Sequence, residues 1–147
     1  MKLNEMIARK SGMPEGFYGN KAKWDEVRER FTISKICILQ RPARNKDSGE
    51  VIVYQDGPRK GEPVPDRQAI MSIKTESGKE LLVRTNSRRI VSLYAGDLDR
   101  EADGCNQFGD EIYIVEAPEG WLRFVAFKQE YANGQKGDVA DLEEAEE

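Results

Sequence analysis

From Phe31 onward, hydrophobic and polar positions alternate in short runs, and the period lengthens toward that of a helix only once. In FTISKICILQRP, residues 31–42, Phe31 and Ile33 share one face, and Ile36 and Ile38 continue from the opposite parity. A long strand with a β-bulge between 33 and 36 accounts for that odd step, because one extra residue moves every later side chain to the other face. RQAIMSIKTESGKELLVRTN, residues 67–86, predicts a hairpin. Ala69, Met71 and Ile73 alternate on its outgoing strand, Leu81 and Val83 do so on its return, and SGK makes the turn. Lys74 and Arg84 fall on the opposite face. In SRRIVSLYAG the spacing of Ile90, Leu93 and Tyr94 predicts a helix, with Asn86 or Ser87 as its cap and Gly96 as its stop. EIYIVEAP (111–118) and WLRFVAFK (121–128) predict a final hairpin across a short turn.

The remaining segments lie around these elements. Residues 1–23 read as an N-terminal arm with one short helix at 2–10, and KWDEVRERF as a helical turn leading into the domain. Residues 43–67 form a long Pro-, Gly- and charge-rich loop in which VIVY (51–54) makes a small hairpin arm. A loop of that length in a compact domain is usually functional or disordered. An acidic loop spans 97–110. One OB-like domain over 24–136 follows, with a disordered acidic tail at 137–147. The order strand, strand, strand, helix, strand, strand predicts an all-β fold with one helix. It is that of an OB-fold, a five-stranded Greek-key barrel with its helix between strands 3 and 4. A bulged, overlong first strand suits a barrel in which that strand serves both sheets. The main rival, an SH3-like barrel, lacks so well-formed a helix in mid-chain.

Charge changes this picture in one respect. The 147 residues carry 23 basic and 27 acidic side chains, a net charge of −4. Six of the acids lie in GDVADLEEAEE, 137–147, and without them the count is 23 against 21. Residues 1–46 hold eleven basic side chains against five acidic, whereas 97–119 hold one against eight. The low isoelectric point therefore does not exclude an anionic partner. There is no histidine, which removes the commonest general base and metal ligand and excludes His-based triads. Phosphate-loop, dinucleotide-binding and nucleophile-elbow motifs are absent, so the chain reads as a non-enzyme without cofactor. The two cysteines fit no metal spacing, and no apolar run approaches a membrane span or an export signal. A reduced, cytoplasmic protein is expected.

The candidate chemistry is that of single-stranded nucleic-acid binding, in which basic groups track phosphates and aromatic rings stack on bases. Lys74 and Arg84 supply cations on the outward face of the central hairpin. Arg41, Arg44, Arg59 and Lys60 supply them around the long loop, with Tyr54 inside it, although 41–67 also holds five acids against six basic residues. Trp121, Arg123 and Phe127 share one face of the last strand. Either that face or the Leu122/Phe124/Ala126 face is core, so each ring serves packing or stacking. Arg88 and Arg89 stand in the first turn of the expected helix, where cations oppose the helix dipole and an anion would be favoured. DREADGCNQFGD, 99–110, places Asp99, Glu101, Asp103, Gly104 and Asp110 at calcium-loop positions 1, 3, 5, 6 and 12. Glu at position 3 and Asp at position 12 depart from that pattern, and an exposed acidic loop without metal is the expectation.

LLVRTNSRRIVSLYAGDLDREADG followed by GDEIYIVEAP resembles a stretch found in small phage and prophage proteins. Thr85-Asn86, Ile90, Leu93-Tyr94, Gly96-Asp97 and Asp99 carry the pattern, with Ile112-Tyr113-Ile114 as the following strand. The chain departs from it by the insertion of Ala95, by the lack of a tryptophan after the acidic turn, and by a longer loop. About forty residues are covered, and no functional residue is carried over. The resemblance implies an OB-like, phage-encoded protein of replication or recombination that binds single-stranded DNA. An acidic C-terminal tail is common in such proteins. The resemblance also implies phage or host replication and recombination proteins as partners, and is compatible with a homodimer. The other reading of the chain is an OB-like interaction module that binds an enzyme through its acidic surface.

Overall fold

A computed structural model describes residues 16–106, 109–130 and 134–145 of the chain. Eight strands follow in order: β1 (Asn20–Ala22), β2 (Phe31–Pro42), β3 (Pro65–Thr75), β4 (Glu80–Thr85), β5 (Gly104–Cys105), β6 (Glu111–Val115), β7 (Leu122–Glu130) and β8 (Lys136–Glu144). The helix α1 (Arg88–Val91) lies between β4 and β5 and runs on into 3-10 turns over Ser92–Leu98. All five expected strands are present, as β2, β3, β4, β6 and β7. Three more come from segments read as arm, acidic loop and tail. The expected helix at 2–10 lies outside the described residues. No helix among them is long and apolar enough to cross a membrane.

The bulge falls where the parity changed. The register of β2 against β3 shifts between Ile33 and Lys35. Phe31, Ile33, Ile36 and Ile38 therefore all enter one core with Ala69, Met71, Ile73 and Val83. The bulge thus keeps β2 on a single apolar interior rather than passing it to another surface. Ser34, the extra residue, donates its hydroxyl to the Ser72 carbonyl at 2.9 Å, which offsets the ladder bond the bulge removes. Burying a side chain such as Phe31 or Ile36, each fully covered, contributes about 2 kcal/mol.

The mixed sheet runs β1-β4-β3-β2-β6-β5, with β7 and β8 off that path. Beyond the bulge, β2 pairs with β6 from Ile36 to Gln40, and before it with β7 through Phe31 and Leu122. The expected hairpin of β6 on β7 is therefore absent. The turn between them, with Gly120 at φ +87°, sends the chain across to the other half of β2. There β7 pairs instead with β8, nine residues on nine. Leu122 and Ala140 of this ribbon are buried in the core, and Phe124 and Leu142 pack against it. Residues 137–144, read as disordered tail, are thus a structural strand. Their acids alternate with Val139, Ala140 and Leu142, and the apolar minority decides where the strand goes.

The helix is shorter than its pattern predicts. Ile90, Val91, Tyr94 and Leu98 are buried, whereas Leu93 is 60% exposed. After four residues the 3-10 turns change the angular spacing and rotate Leu93 outward. Ser87 does not cap the helix with its side chain. Its hydroxyl donates to the Ala140 carbonyl instead, tying α1 to β8.

Residues 17–22 are also built into the fold. Phe17 is 2% exposed, and β1 runs parallel to β4 with Asn20 opposite Leu81. Gly19 makes that approach, at φ +130°. A Cβ there would stand 2.8 Å from the Leu81 carbonyl carbon. Only glycine meets both conditions without strain.

Candidate nucleic-acid interface

Side chains alternate across a strand, so β3 residues that do not enter the core face outward: Asp66, Gln68, Ile70, Ser72 and Lys74. Registers place Cys37, Leu39 and Arg41 of β2 beside them on one side, and Leu82 and Arg84 of β4 on the other. The middle of this outer face is closed. Phe17 lies over Cys37, Leu39, Ile70, Leu82 and Ile112 as a second small core, and the Ser72 hydroxyl donates to the Tyr18 carbonyl at 3.0 Å. The incoming chain therefore divides the face. Lys74, exposed and opposite Glu80, is left beyond the crossing.

Arg41 and Arg84 lie on the near side of the crossing, held by neighbouring residues of β3. Arg41 Nε donates to Asp66 Oδ2 at 3.1 Å, and Arg84 Nε donates to Gln68 Oε1. Burial, and next the charge of Arg41, push the Arg84 guanidinium below its ordinary value. Asp110 and Asp66 push the other way, so the repulsion between the two cations is partly compensated, and a bound anion would relieve what is left of it.

Two clefts flank this pair, one reached through Arg84 and the other through Asp66, the partner of Arg41. The first, of about 450 Å³, is lined by Arg84 and Leu82 of β4, Lys21 and Ala22 of β1, and Lys23, Trp24, Asp25 and Glu26. Lys21 and Lys23 form no ion pair among the described residues. The Glu26 carboxylate accepts the Lys23 backbone N–H at 3.0 Å. The second cleft, of about 390 Å³, lies between the start of β3 and α1 and is lined by Pro65, Asp66, Arg67, Asn86, Arg88, Val91 and Ser92. Arg67 Nε donates to Gln40 Oε1 at 2.7 Å. Asp66, the one acid in this lining, is engaged by Arg41.

Sequence reasoning missed Lys21, Lys23, Trp24 and Arg67. The first three lay in segments read as arm and helical turn. Their alternation, Lys-Ala-Lys-Trp, was the available signal, since it interleaves cations with an aromatic at strand period. Arg67 stands at the edge of the apolar pattern of β3, where alternation assigns it to neither face.

The other expected site residues stand on two further surfaces. Phe124 and Leu122 are the core face of β7, so Trp121, Arg123 and Phe127 face outward. Each already has a partner. The Arg30 guanidinium lies 4.6 Å over the Trp121 ring and donates to Glu76 at 2.9 Å. Arg123 pairs with Glu143. The Arg89 guanidinium lies 3.8 Å over Phe127 and pairs with Asp141 at 2.8 Å. Acids of β8 thus neutralise Arg89 and Arg123, and Glu76 neutralises Arg30.

The segment between β2 and β3 is an ordered projecting arm, with bridges Arg44–Val51 and Val53–Pro63. Its cations mostly maintain it. Arg44 donates to the Gly49 carbonyl at 3.0 Å. Arg59 lies 5.2 Å over Tyr54 and pairs with Glu62 at 2.9 Å. Lys60 is exposed in the turn.

In the acidic loop, both Asp103 carboxylate oxygens accept from Arg100, at 2.9 and 3.1 Å, and one also accepts the Ile114 N–H at 2.7 Å. Among the described residues no cluster of three or more Asp, Glu or Cys side chains is placed to hold a metal ion.

Neither protein-family models, curated proteins nor solved structures gave a match to this chain.

Proposed function

We propose that the chain is a non-enzymatic, sequence-independent single-stranded DNA-binding protein with an OB-like core. The carrying observation is the Arg41–Arg84 pair on the outer face of β3, opening into a cleft with Lys21, Lys23 and Trp24. The β2-β3-β4 meander, the helix after it and the return of β6 onto β2 support the OB-like reading. In that fold the face of the second and third strands and the loop after the first strand hold oligonucleotides. These correspond to the β3/β4 face and to the projecting arm. A phosphodiester strand would run across Arg84 and Arg41, with a base against Trp24. Stacking on such a ring is worth about 1–3 kcal/mol. A place in phage replication or recombination is supported by the sequence resemblance.

Anisotropy of labelled oligo-dT at low and high salt tests this. Arg41→Gln together with Arg84→Gln should weaken binding by about tenfold or more and flatten its salt dependence, each lost phosphate contact removing about 0.7 from the log–log slope. Absence of binding by the unaltered protein at low salt would end the proposal.

The second reading, an interaction module, is favoured by the exposure of Leu93 and Ile114, at 60% and 55%, in or beside the acidic segment. Tight oligo-dT binding that Leu93→Ser and Ile114→Ser leave intact argues against it as the primary role.

A further inference from the structure

The cleft between β3 and α1 is chemically distinct from the Arg41–Arg84 face. It takes cations from two elements: Arg67 from β3 and Arg88 from the first turn of α1. Arg67 is fixed through Nε by Gln40, and its terminal nitrogens have no hydrogen bond among the described residues. Arg88 forms no ion pair among them either. Asn86 and Ser92 add neutral donors, and the only carboxylate in the lining, Asp66, is taken by Arg41 on the other side. With four residues, α1 is too short for its dipole to matter, so the site rests on side chains from both walls. Two guanidiniums with their forks uncommitted, backed by amide and hydroxyl donors, match a dianionic group that accepts several hydrogen bonds at once. A phosphate monoester fits that description better than a diester, which carries one charge and has two of its four oxygens esterified.

From this we infer that the Arg67–Arg88 cleft binds a phosphate monoester, and that on a DNA strand this is the terminal phosphate. The second half of the inference rests on the proposed DNA-binding function; the first does not. The volume of about 390 Å³ admits the phosphate with its sugar. Asp66 lies between this cleft and the Arg41–Arg84 pair, so one strand end can seat here while the next phosphates pass to that pair. The protein would then prefer strand ends to continuous strands of equal length.

Two experiments separate the halves. In the first, amide and Arg Nε resonances are followed during titration with thymidine 5′-monophosphate, with inorganic phosphate in a parallel arm. Shifts at Asn86, Arg88, Ser92 and Arg67 Nε are expected, and are to be lost in Arg67→Gln and in Arg88→Gln variants whose remaining spectrum is unchanged. Tighter binding of the nucleotide than of phosphate assigns the site to a nucleotide end, and equal binding assigns it to the free anion. No shift at these residues in either arm overturns the inference. In the second, 5′-phosphorylated, 3′-phosphorylated and unphosphorylated oligo-dT compete for the protein. A preference of about tenfold for one phosphorylated end, falling to about one in Arg88→Gln, is expected. Equal affinities overturn the terminal-phosphate assignment. Failure of all three oligonucleotides to bind, with the monophosphate shifts intact, removes the DNA-binding function and leaves the monoester site standing.

Discussion

Cys37 and Cys105 show how far one residue type can diverge by position. Cys37 lies on the outer face of β2 under Phe17, and burial pushes its thiol up to about 12. It stays protonated across the working pH range, and the thiolate is the nucleophile. Cys105, exposed in β5, has no such protection. A thiol reagent at pH 8 should therefore modify one cysteine per native chain and two in denaturant. Rapid modification of both in the native state would contradict the covering of β2 by Phe17. Gly19 makes a comparable prediction about stability. Gly57 and Gly19 both have positive φ, but a Cβ at Gly57 meets open space, while at Gly19 it meets the backbone of β4. Gly57→Ala should cost about 1 kcal/mol from left-handed strain alone. Gly19→Ala should cost about 3 kcal/mol, since crowding adds to the strain. Urea midpoints of the two variants test the difference.

At the scale of elements, what the sequence disclosed depended on how many residues carried each signal. The β2 bulge and the β3–β4 hairpin were legible because each run of two or three apolar positions kept strand period, and in β2 the break between two such runs marked the bulge. The β6–β7 hairpin was misjudged because two adjacent strands and a short turn fit either mutual pairing or separate partners. Nothing local in 111–128 tells them that β2 has edge left on both sides of its bulge. β8 was misjudged because six acids in eleven residues outweighed four apolar side chains, yet Ala140 and Leu142 reach the core. This changes how the acidic segment is to be tested. Leu142→Ala should destabilise the protein by about 2 kcal/mol, so deleting the strand would confound charge with folding. Asp141→Asn together with Glu143→Gln keeps the strand and releases Arg89 and Arg123. If the acids compete with polyanion, oligo-dT affinity should rise severalfold and the salt slope should steepen by up to about 1.4. An unchanged slope would leave β8 a purely structural strand.

For the whole molecule, the candidate residues drawn from the sequence divide among three surfaces. Alternation correctly sent Lys74 and Arg84 outward, but it left both faces of 121–128 equally apolar and could not choose between the Trp121/Arg123/Phe127 row and the Leu122/Phe124 row. It could not show that Phe17 crosses the β3 face, because that contact joins residues more than fifty positions apart. Nor could it show that Arg59, Arg89 and Arg123 meet acids of their own. Of the cations beside the clefts that form no ion pair among the described residues, Lys21 and Lys23 come from segments whose pattern was read as arm and helical turn, while Arg67 and Arg88 come from a strand and a helix that were expected. Net charge averages over all of this. Field strength at one face follows from which acids have been brought to which cations.

Trp24 lines the cleft beside Arg84, while Trp121 lies beneath Arg30 on the outer face of the β7–β8 ribbon. Under excitation selective for tryptophan, the chain thus carries one fluorophore in the cleft and one on the ribbon, and no third. Trp24→Phe leaves emission that reports only the ribbon, and Trp121→Phe leaves emission that reports only the cleft. A ligand can therefore be located by which variant falls silent, without attaching any dye.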